Sequence, residues 1–360
     1  MTILEQAGLD HYLQQQQLPP PTEPVGRISA EFGTAYAVIM AHGEAEAIAP
    51  KTLIARNKPS DRPKTGDWVT LDQIGTEAKY RIRTILPRSS ELTRKRTGKR
   101  MEAQVLAVNV DTVFITESAA AELDLDRIER FLTVPNMAHI AGRIIITKCD
   151  TVTTEQVEQI RTKLLDRFPQ IPVHFTSTLS GAGLAELRAM LTNGTTAAVI
   201  GPSGVGKSSL INTLLGSEQL RTQSVRDDDQ KGRHTTTVRE LLVLPSGGVI
   251  IDTPGMRELQ LWGDAATKLD TTFADVEILT RECRFSDCDH VKSAGCAIQN
   301  AIQNGTLDPQ RFASFQKLKR ELEQQTSTHN YETALNKKRK EKKLSQTLRT
   351  IGRHKRGKTN

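Results

Sequence analysis

The chain has 360 residues, enough for two or three domains, with 37% hydrophobic and 25% charged residues, the proportions of ordinary globular protein. No apolar run approaches the ~20 residues of a membrane span, and the opening MTILEQAGLDHYLQQQQLPPP carries Glu5 and Asp10 with no basic stretch, which argues against a secretory leader and for a cytoplasmic protein. The net charge of +7 is local: residues 337–360 hold 11 Lys/Arg against Glu341, and the remaining 38 basic and 41 acidic residues leave −3.

In chain order, residues 1–24 read as a flexible leader, from the Gln14–Gln17 and Pro19–Pro21 runs. From Val25 to about Arg88, short strand-like runs (Arg27–Phe32, Ala35–Met40, Asp67–Leu71, Lys79–Ile85) alternate with Gly33, Gly43, Gly66 and Gly75. Short strands at such intervals predict a small barrel, with Trp68 read as a core residue against the alternative of a base-stacking platform. Arg88–Arg100, RSSELTRKRTGKR, reads as a basic linker or loop closing a 25–100 segment. From 101 to about 270 the pattern becomes α/β. Strands are expected at Val105–Val110, Thr112–Thr116, Arg143–Ile146 and Val173–Phe175, with helices over Leu123–Leu132, Glu155–Phe168 and Gly183–Leu191. Glu240–Leu244 and Gly248–Ile251 predict a hairpin around Pro245-Ser-Gly-Gly. Residues 271–330 form a segment with clustered cysteines, in which Asp308-Pro309 starts a helix carrying Phe312, Phe315, Leu318 and Leu322 as a packing stripe. Residues 331–360 are the basic tail.

Four motifs carry chemistry. Gly201-Pro202-Ser203-Gly204-Val205-Gly206-Lys207-Ser208-Ser209 follows a short apolar strand and opens a helical run, fitting G-x-x-x-x-G-K-[ST]. Its glycines let the backbone curl so that N–H groups face phosphate oxygens. The helix N-terminus adds positive charge. Lys207 can bridge β- and γ-phosphates, and Ser208 can ligate Mg²⁺. Asp252-Thr-Pro-Gly255, about 45 residues on at a strand end, suits a second Mg²⁺-site carboxylate and a γ-phosphate-sensing glycine. Thr147-Lys148-Cys149-Asp150 suits guanine: a buried Asp150 carboxylate would accept from N1–H and the 2-amino group, the Lys148 stem would lie over the base, and Ser177 would steady it. Adenine would leave that carboxylate unpaired, at a cost of ~1–3 kcal/mol. Finally, Cys283, Cys288, His290 and Cys296 supply three thiolates and one imidazole, the donors of a closed structural zinc site.

GTPases usually order these parts with the phosphate loop first. Here Thr147–Asp150 and Ser177 precede it, a circular permutation that one parallel sheet tolerates because its loops still gather at one edge. With TKCD, GPSGVGKSSLIN, GRHTTT, IDTPGMRE and the C-x4-C-x-H-x5-C array, the sequence resembles the ribosome small-subunit-dependent GTPase A family over about Val25–Leu322. The resemblance implies a multidomain protein: an N-terminal OB-fold β-barrel, a central α/β circularly permuted P-loop GTPase domain and a C-terminal, mainly helical zinc-binding domain. It also implies GTP hydrolysis stimulated by the small (30S) ribosomal subunit in late subunit maturation, with contact to 16S-type rRNA. The tail and Arg88–Arg100 would add phosphate contacts and a steep salt dependence, the tail's other reading being a solvated end.

Two positions depart from the common pattern. Thr147 stands where Asn is usual, and Met256 stands where many GTPases place a water-orienting Gln. Slow hydrolysis by the isolated chain is expected, with a partner completing the site. His234 is the internal candidate for orienting water, against a plain loop histidine, and Thr236 the candidate switch ligand to Mg²⁺. The alternative reading is a nucleotide-gated RNA-binding scaffold with negligible turnover. A monomer with GTP, Mg²⁺ and one structural Zn²⁺ is expected.

Overall fold

The computed structural model describes residues 2–55, 59–75, 79–95, 103–220, 239–253, 273–285, 288–290 and 293–320. The chain divides into two compact units, one holding the described residues up to Ala274 and the other those from Asp275 on. Among the described residues no helix is long and apolar enough to cross a membrane.

In the first unit, β1 (Val25–Phe32), β2 (Ala35–Met40), β3 (Gly43–Ile48), β4 (Trp68–Gln73) and β5 (Lys79–Ile85) pair in the order β1-β2-β3-β5-β4, and β4 closes back on β1. With β3 parallel to β5, this is the five-stranded barrel the sequence predicts, of OB type. Register shifts in β1 between Ile28 and Ala30 and in β4 at Thr70/Leu71 bend the strands toward closure. Ile28, Tyr36, Val38, Val69, Leu71 and Ile82 fill the barrel.

A second sheet has the order β10-β9-β8-β11-β13-β12 and joins β1 through one pairing, Ala30↔Glu240. Its strands are β8 (Thr112–Ser118), β9 (Ala141–Thr147), β10 (Val173–Phe175), β11 (Thr196–Ile200), β12 (Glu240–Val243) and β13 (Val249–Asp252). The first five in that order run parallel, while β12 is antiparallel to β13, the expected hairpin. Every residue of β8 and β11 is buried, as expected of central parallel strands covered on both faces. The chain runs outward from β8 through β9 to β10, then returns to β11 on the other side of β8. The switch in direction therefore lies at β11, and the crevice for a ligand opens at its carboxyl end. Helices Leu125–Met137, Thr154–Arg167, Leu184–Met190 and Lys207–Leu215 form the crossovers. Asp124 caps the first, and a Thr153/Gln156 capping box starts the second.

Two expectations are corrected. The leader is not flexible: residues Ile3–Gln6 and Leu9–Gln16 are helical, and Leu4, Ala7 and Tyr12 are buried. The Tyr12 ring stacks on Trp68 at 5.6 Å between centroids, and its hydroxyl donates to the Pro87 carbonyl at 2.7 Å. Composition concealed this because contacts with residues far along the chain, not a hydrophobic run, seat the segment. Nor is Arg88–Arg100 simply a loop. Glu91–Lys95 is strand β6, paired antiparallel with β7 (Ala103–Val108). Arg88 grips Asp67 with Nε–Oδ1 and Nη2–Oδ2 both at 2.8 Å, so its charge is spent inside the protein. Residues 96–100 lie outside the described residues.

The second unit contains the helix Ala274–Arg281 from Asp275 on, the helix Ala297–Gln303 and a helical run over 309–320. Asp308 Oδ1 accepts from the Gln310 amide at 2.8 Å, as a helix-start residue should. Phe312, Phe315 and Leu318 are buried, the predicted stripe; Leu322 and the tail lie outside the described residues.

Candidate functional site

The phosphate-loop sequence spans the end of β11 and the first turn of the helix Lys207–Leu215, with Gly201, Gly204 and Gly206 at positive φ. A Cβ at Gly201 would lie 2.3 Å from Thr116 Oγ1, so this first glycine is demanded by close approach as well as by its φ of +152°. Gly216 ends the helix at φ +70°, as predicted.

Donors brought from distant parts of the chain engage the carbonyls around the loop. Thr253 Oγ1 donates to Val199 O at 2.7 Å and Thr116 Oγ1 to Ile200 O at 2.8 Å. Lys207 Nζ donates to Gly201 O at 2.8 Å and Pro202 O at 2.6 Å. Lys148 Nζ donates to Gly204 O at 2.7 Å, and the Thr147 hydroxyl to Val205 O. With its carbonyls so occupied, the loop has amide groups to offer an anion. Val205 is buried, Pro202, Lys207, Ser208 and Ser209 are half-buried, and Ser203 and Gly204 are exposed, so the loop forms an open lip over a packed base.

Thr147 ends β9 and Lys148–Asp150 follow directly, with Lys148 in the left-handed region at φ +59°. Cys149 N donates to Thr176 O at 3.1 Å, which ties the segment to the end of β10. The Cys149 thiol is half-buried, and that burial pushes its pKa up, against a reactive role. Ser177 is buried; its hydroxyl donates to Asp150 Oδ1 and accepts from Ser180 N at 3.0 Å. Thus Ser177 fixes the carboxylate rather than reaching outward itself. Asp150 is exposed, not buried as expected. It sits in the short 3-10 turn just beyond β9.

Asp252 ends β13 opposite Val199. Among the described residues its Oδ1 is buried with no hydrogen-bond partner, and burial pushes the carboxyl up while Lys207 opposes the shift. Desolvation in turn holds the Lys207 ammonium below its ordinary range, with Asp252 and Glu117 opposing. An orphaned carboxylate oxygen near a desolvated ammonium suits a divalent cation with an anion beside it. His234, Thr236 and Gly255 lie outside the described residues. Thr116 and Thr253 were missed by motif reasoning; the available signal for Thr116 was a hydroxyl directly after the apolar run Val113–Ile115.

In the second unit Cys283, Cys288, His290 and Cys296 converge, their donor atoms all within 4.8 Å of one another. Cys283 Sγ lies 3.5 Å from His290 Nδ1 and 4.0 Å from Cys296 Sγ; Cys296 Sγ lies 3.6 Å from the same nitrogen. Zinc–sulfur bonds of about 2.3 Å in a tetrahedron set ligand–ligand edges of about 3.8 Å, so the donor set fits. Gln299 Nε2 donates to His290 O at 2.6 Å, and Phe312 meets the imidazole edge-on at 5.8 Å.

The RsgA GTPase family model matches residues 85–262, and a model described as a 50S ribosome-binding GTPase matches 196–337. A small ribosomal subunit biogenesis GTPase RsgA 2 of Vibrio vulnificus is 39% identical over 90% of this chain and 89% of its own. A protein of the same description, RsgA 1 of Listeria innocua, is 36% identical over 97% of each chain. Their near-full coverage outweighs the large-subunit wording of the second model. Two solved structures share the fold: YjeQ from Thermotoga maritima (TM-score 0.60, 24% identity, 83% of this chain and 98% of that one) and YloQ, described as a circularly permuted GTPase (TM-score 0.58, 22% identity, 84% and 96%). The permuted order of motifs around β11 and the near-full-length likeness lead to one conclusion: the chain belongs to the RsgA family of GTPases.

Proposed function

We propose that the chain binds GTP with Mg²⁺ in the crevice at the carboxyl end of β11 and hydrolyses it on the small (30S) ribosomal subunit, during late subunit biogenesis, while contacting 16S-type rRNA. Asp150, steadied by Ser177, accepts from the guanine edge, and the Lys148 stem covers the base. The loop from Gly201 to Ser209 cradles the phosphates. Ser208 and Asp252 serve the Mg²⁺, together with Thr236, and Gly255 senses the γ-phosphate. Phosphate oxygens would draw the Lys207 ammonium away from the Gly201 and Pro202 carbonyls it now holds. Zn²⁺ on Cys283, Cys288, His290 and Cys296 would be structural, since four protein ligands leave no open position. The protein works as a cytoplasmic monomer.

The single observation that carries this reading is the weld between its two halves: Lys148 on Gly204 and Thr147 on Val205 join the base-reading segment to the phosphate loop. GTP turnover by the full chain, with and without purified small subunits, is the test. Strong stimulation is expected; an unchanged or negligible rate supports the scaffold alternative instead. In the same assay His234→Ala is expected to lower the stimulated rate, and an unaltered rate removes His234 from the mechanism.

A further inference from the structure

β8 supplies a residue that no motif points to. The ladder between β8 and β11 ends at Ile115↔Ile200. One residue further along β8, the Thr116 side chain takes over: its hydroxyl donates to Ile200 O at 2.8 Å. Thr116 is fully buried within a strand that is buried along its whole length. A hydroxyl in such a place is costly to desolvate unless it is bonded, and valine would fill the same shape without that need. The carbonyl it holds belongs to the last residue before the phosphate loop. The space a Cβ at Gly201 would need is taken by Thr116 itself, by Oγ1 at 2.3 Å and its carbonyl oxygen at 2.4 Å. On the opposite side, from the residue just after β13, Thr253 holds Val199 O at 2.7 Å.

We propose that Thr116 is a positioning residue for the phosphates: by fixing the Ile200–Gly201 peptide from the flank of β8, it sets the direction in which the loop leaves β11, and so where the loop's amides point. The inference rests on the guanine-nucleotide reading above and adds to it a residue that touches no part of the nucleotide. It makes a distinction that a general packing role does not. The base is read by Asp150 at the other end of the crevice, so an error in loop direction weakens binding through the β-phosphate and leaves guanine recognition alone.

The test uses the full chain with Thr116→Val, Thr116→Ser and Thr116→Ala, titrated with GDP and with GMP, alongside the thermal midpoint of each variant. Losing one neutral hydrogen bond at the junction should raise the GDP dissociation constant about 2- to 12-fold in the Val and Ala variants. GMP should change less than about 2-fold, and Ser, which keeps the hydroxyl, should restore GDP binding. Ala leaves space where Val fills it and is read in the same way if Val does not fold. GDP binding unchanged in the folded Val or Ala variant, or GDP and GMP weakened equally, overturns the proposal, as does a lowered midpoint with an unchanged GDP-to-GMP ratio. Wild-type protein that binds no GDP refutes the nucleotide reading itself, a separate result.

Discussion

Thr147 is the position where this chain departs from the usual base-reading motif, and its surroundings make the consequence calculable. The side chain is buried, and its hydroxyl faces two carbonyls, Glu117 O at 3.0 Å and Val205 O. A hydroxyl has one proton, so the two acceptors share it. An amide at this position has two N–H groups in a side chain of nearly the same volume. Thr147→Asn should therefore gain one neutral hydrogen bond, about 0.5–1.5 kcal/mol, and tighten GDP binding about 2- to 12-fold. Thr147→Val keeps the branched shape, removes the donor and should weaken GDP binding by a similar factor. Equilibrium titration with a fluorescent GDP reads both. Inosine diphosphate, which lacks the 2-amino group proposed to meet Asp150, is the control: the GDP-to-IDP ratio should not move. If both variants bind GDP as the wild type does, the shared-proton argument is wrong and Thr147 is mere packing.

Four further outcomes follow from the same structure. Burial holds the Asp252 carboxyl above its ordinary range, so its contribution to stability is complete below the usual aspartate pKa and is lost as pH rises through the raised value. Above that raised value the ionised carboxylate is a cost, so Asp252→Asn should raise the nucleotide-free melting temperature, most at high pH and by about 2–4 °C for each kcal/mol relieved, while abolishing Mg²⁺-dependent turnover; a melting temperature lowered at high pH contradicts this. Arg88→Met strands the fully buried Asp67 carboxylate and should cost about 3–5 kcal/mol in urea unfolding, part of which Asp67→Asn in the same chain should recover. Tyr12→Ala should cost about 3–5 kcal/mol, through the lost stack on Trp68 and the lost bond to Pro87, and an unshifted melting curve would mean the leader is loosely held. Protein purified without chelator should carry about one zinc per chain, as one closed Cys₃His site requires, and lose it in Cys288→Ser; metal content near zero in the unaltered protein defeats the assignment.

What the sequence made legible is what backbone chemistry forces into fixed spacing. A loop that turns its amides inward needs glycines where Gly201, Gly204 and Gly206 stand, so the motif could be read directly. The apolar run Ala197–Ile200 within β11 likewise announces a fully buried strand. What escaped depends on pairs far apart in the chain. Arg88 looked like the start of a basic run because its partner Asp67 lies 21 residues earlier. The leader looked loose because Gly8 and Gly194, each leaving the other no room for a side chain, cannot be matched by composition: a Cβ on Gly8 would lie 2.6 Å from Gly194 O. The exposure of Asp150 was hidden for another reason. Motif logic describes a liganded site, and in the proposed complex the base would supply the burial.

The permuted order of motifs becomes intelligible at β11. Its five residues are anchored at both ends by side chains that arrive from elsewhere. At the amino end Asp111 Oδ2 accepts from Thr196 N at 2.7 Å, and Arg27 Nη2 donates to Thr196 Oγ1 at 2.9 Å. The Arg27 guanidinium also reaches the carbonyls of Ala7, Gly66 and Asn109. Burial lowers its pKa to about 10, so it stays charged at neutral pH and holds leader, barrel and sheet to one point. At the carboxyl end Thr116, Thr147 and Thr253 hold the carbonyls of Ile200, Val205 and Val199. None of these contacts depends on which strand is made first. The phosphate loop requires a neighbour on each side of its strand and donors at its junction, and β8 and β13 provide them whether they precede or follow it in the chain. Moving the base-reading segment ahead of the loop therefore leaves the crevice intact, because the sheet, not the chain order, brings Lys148 to Gly204.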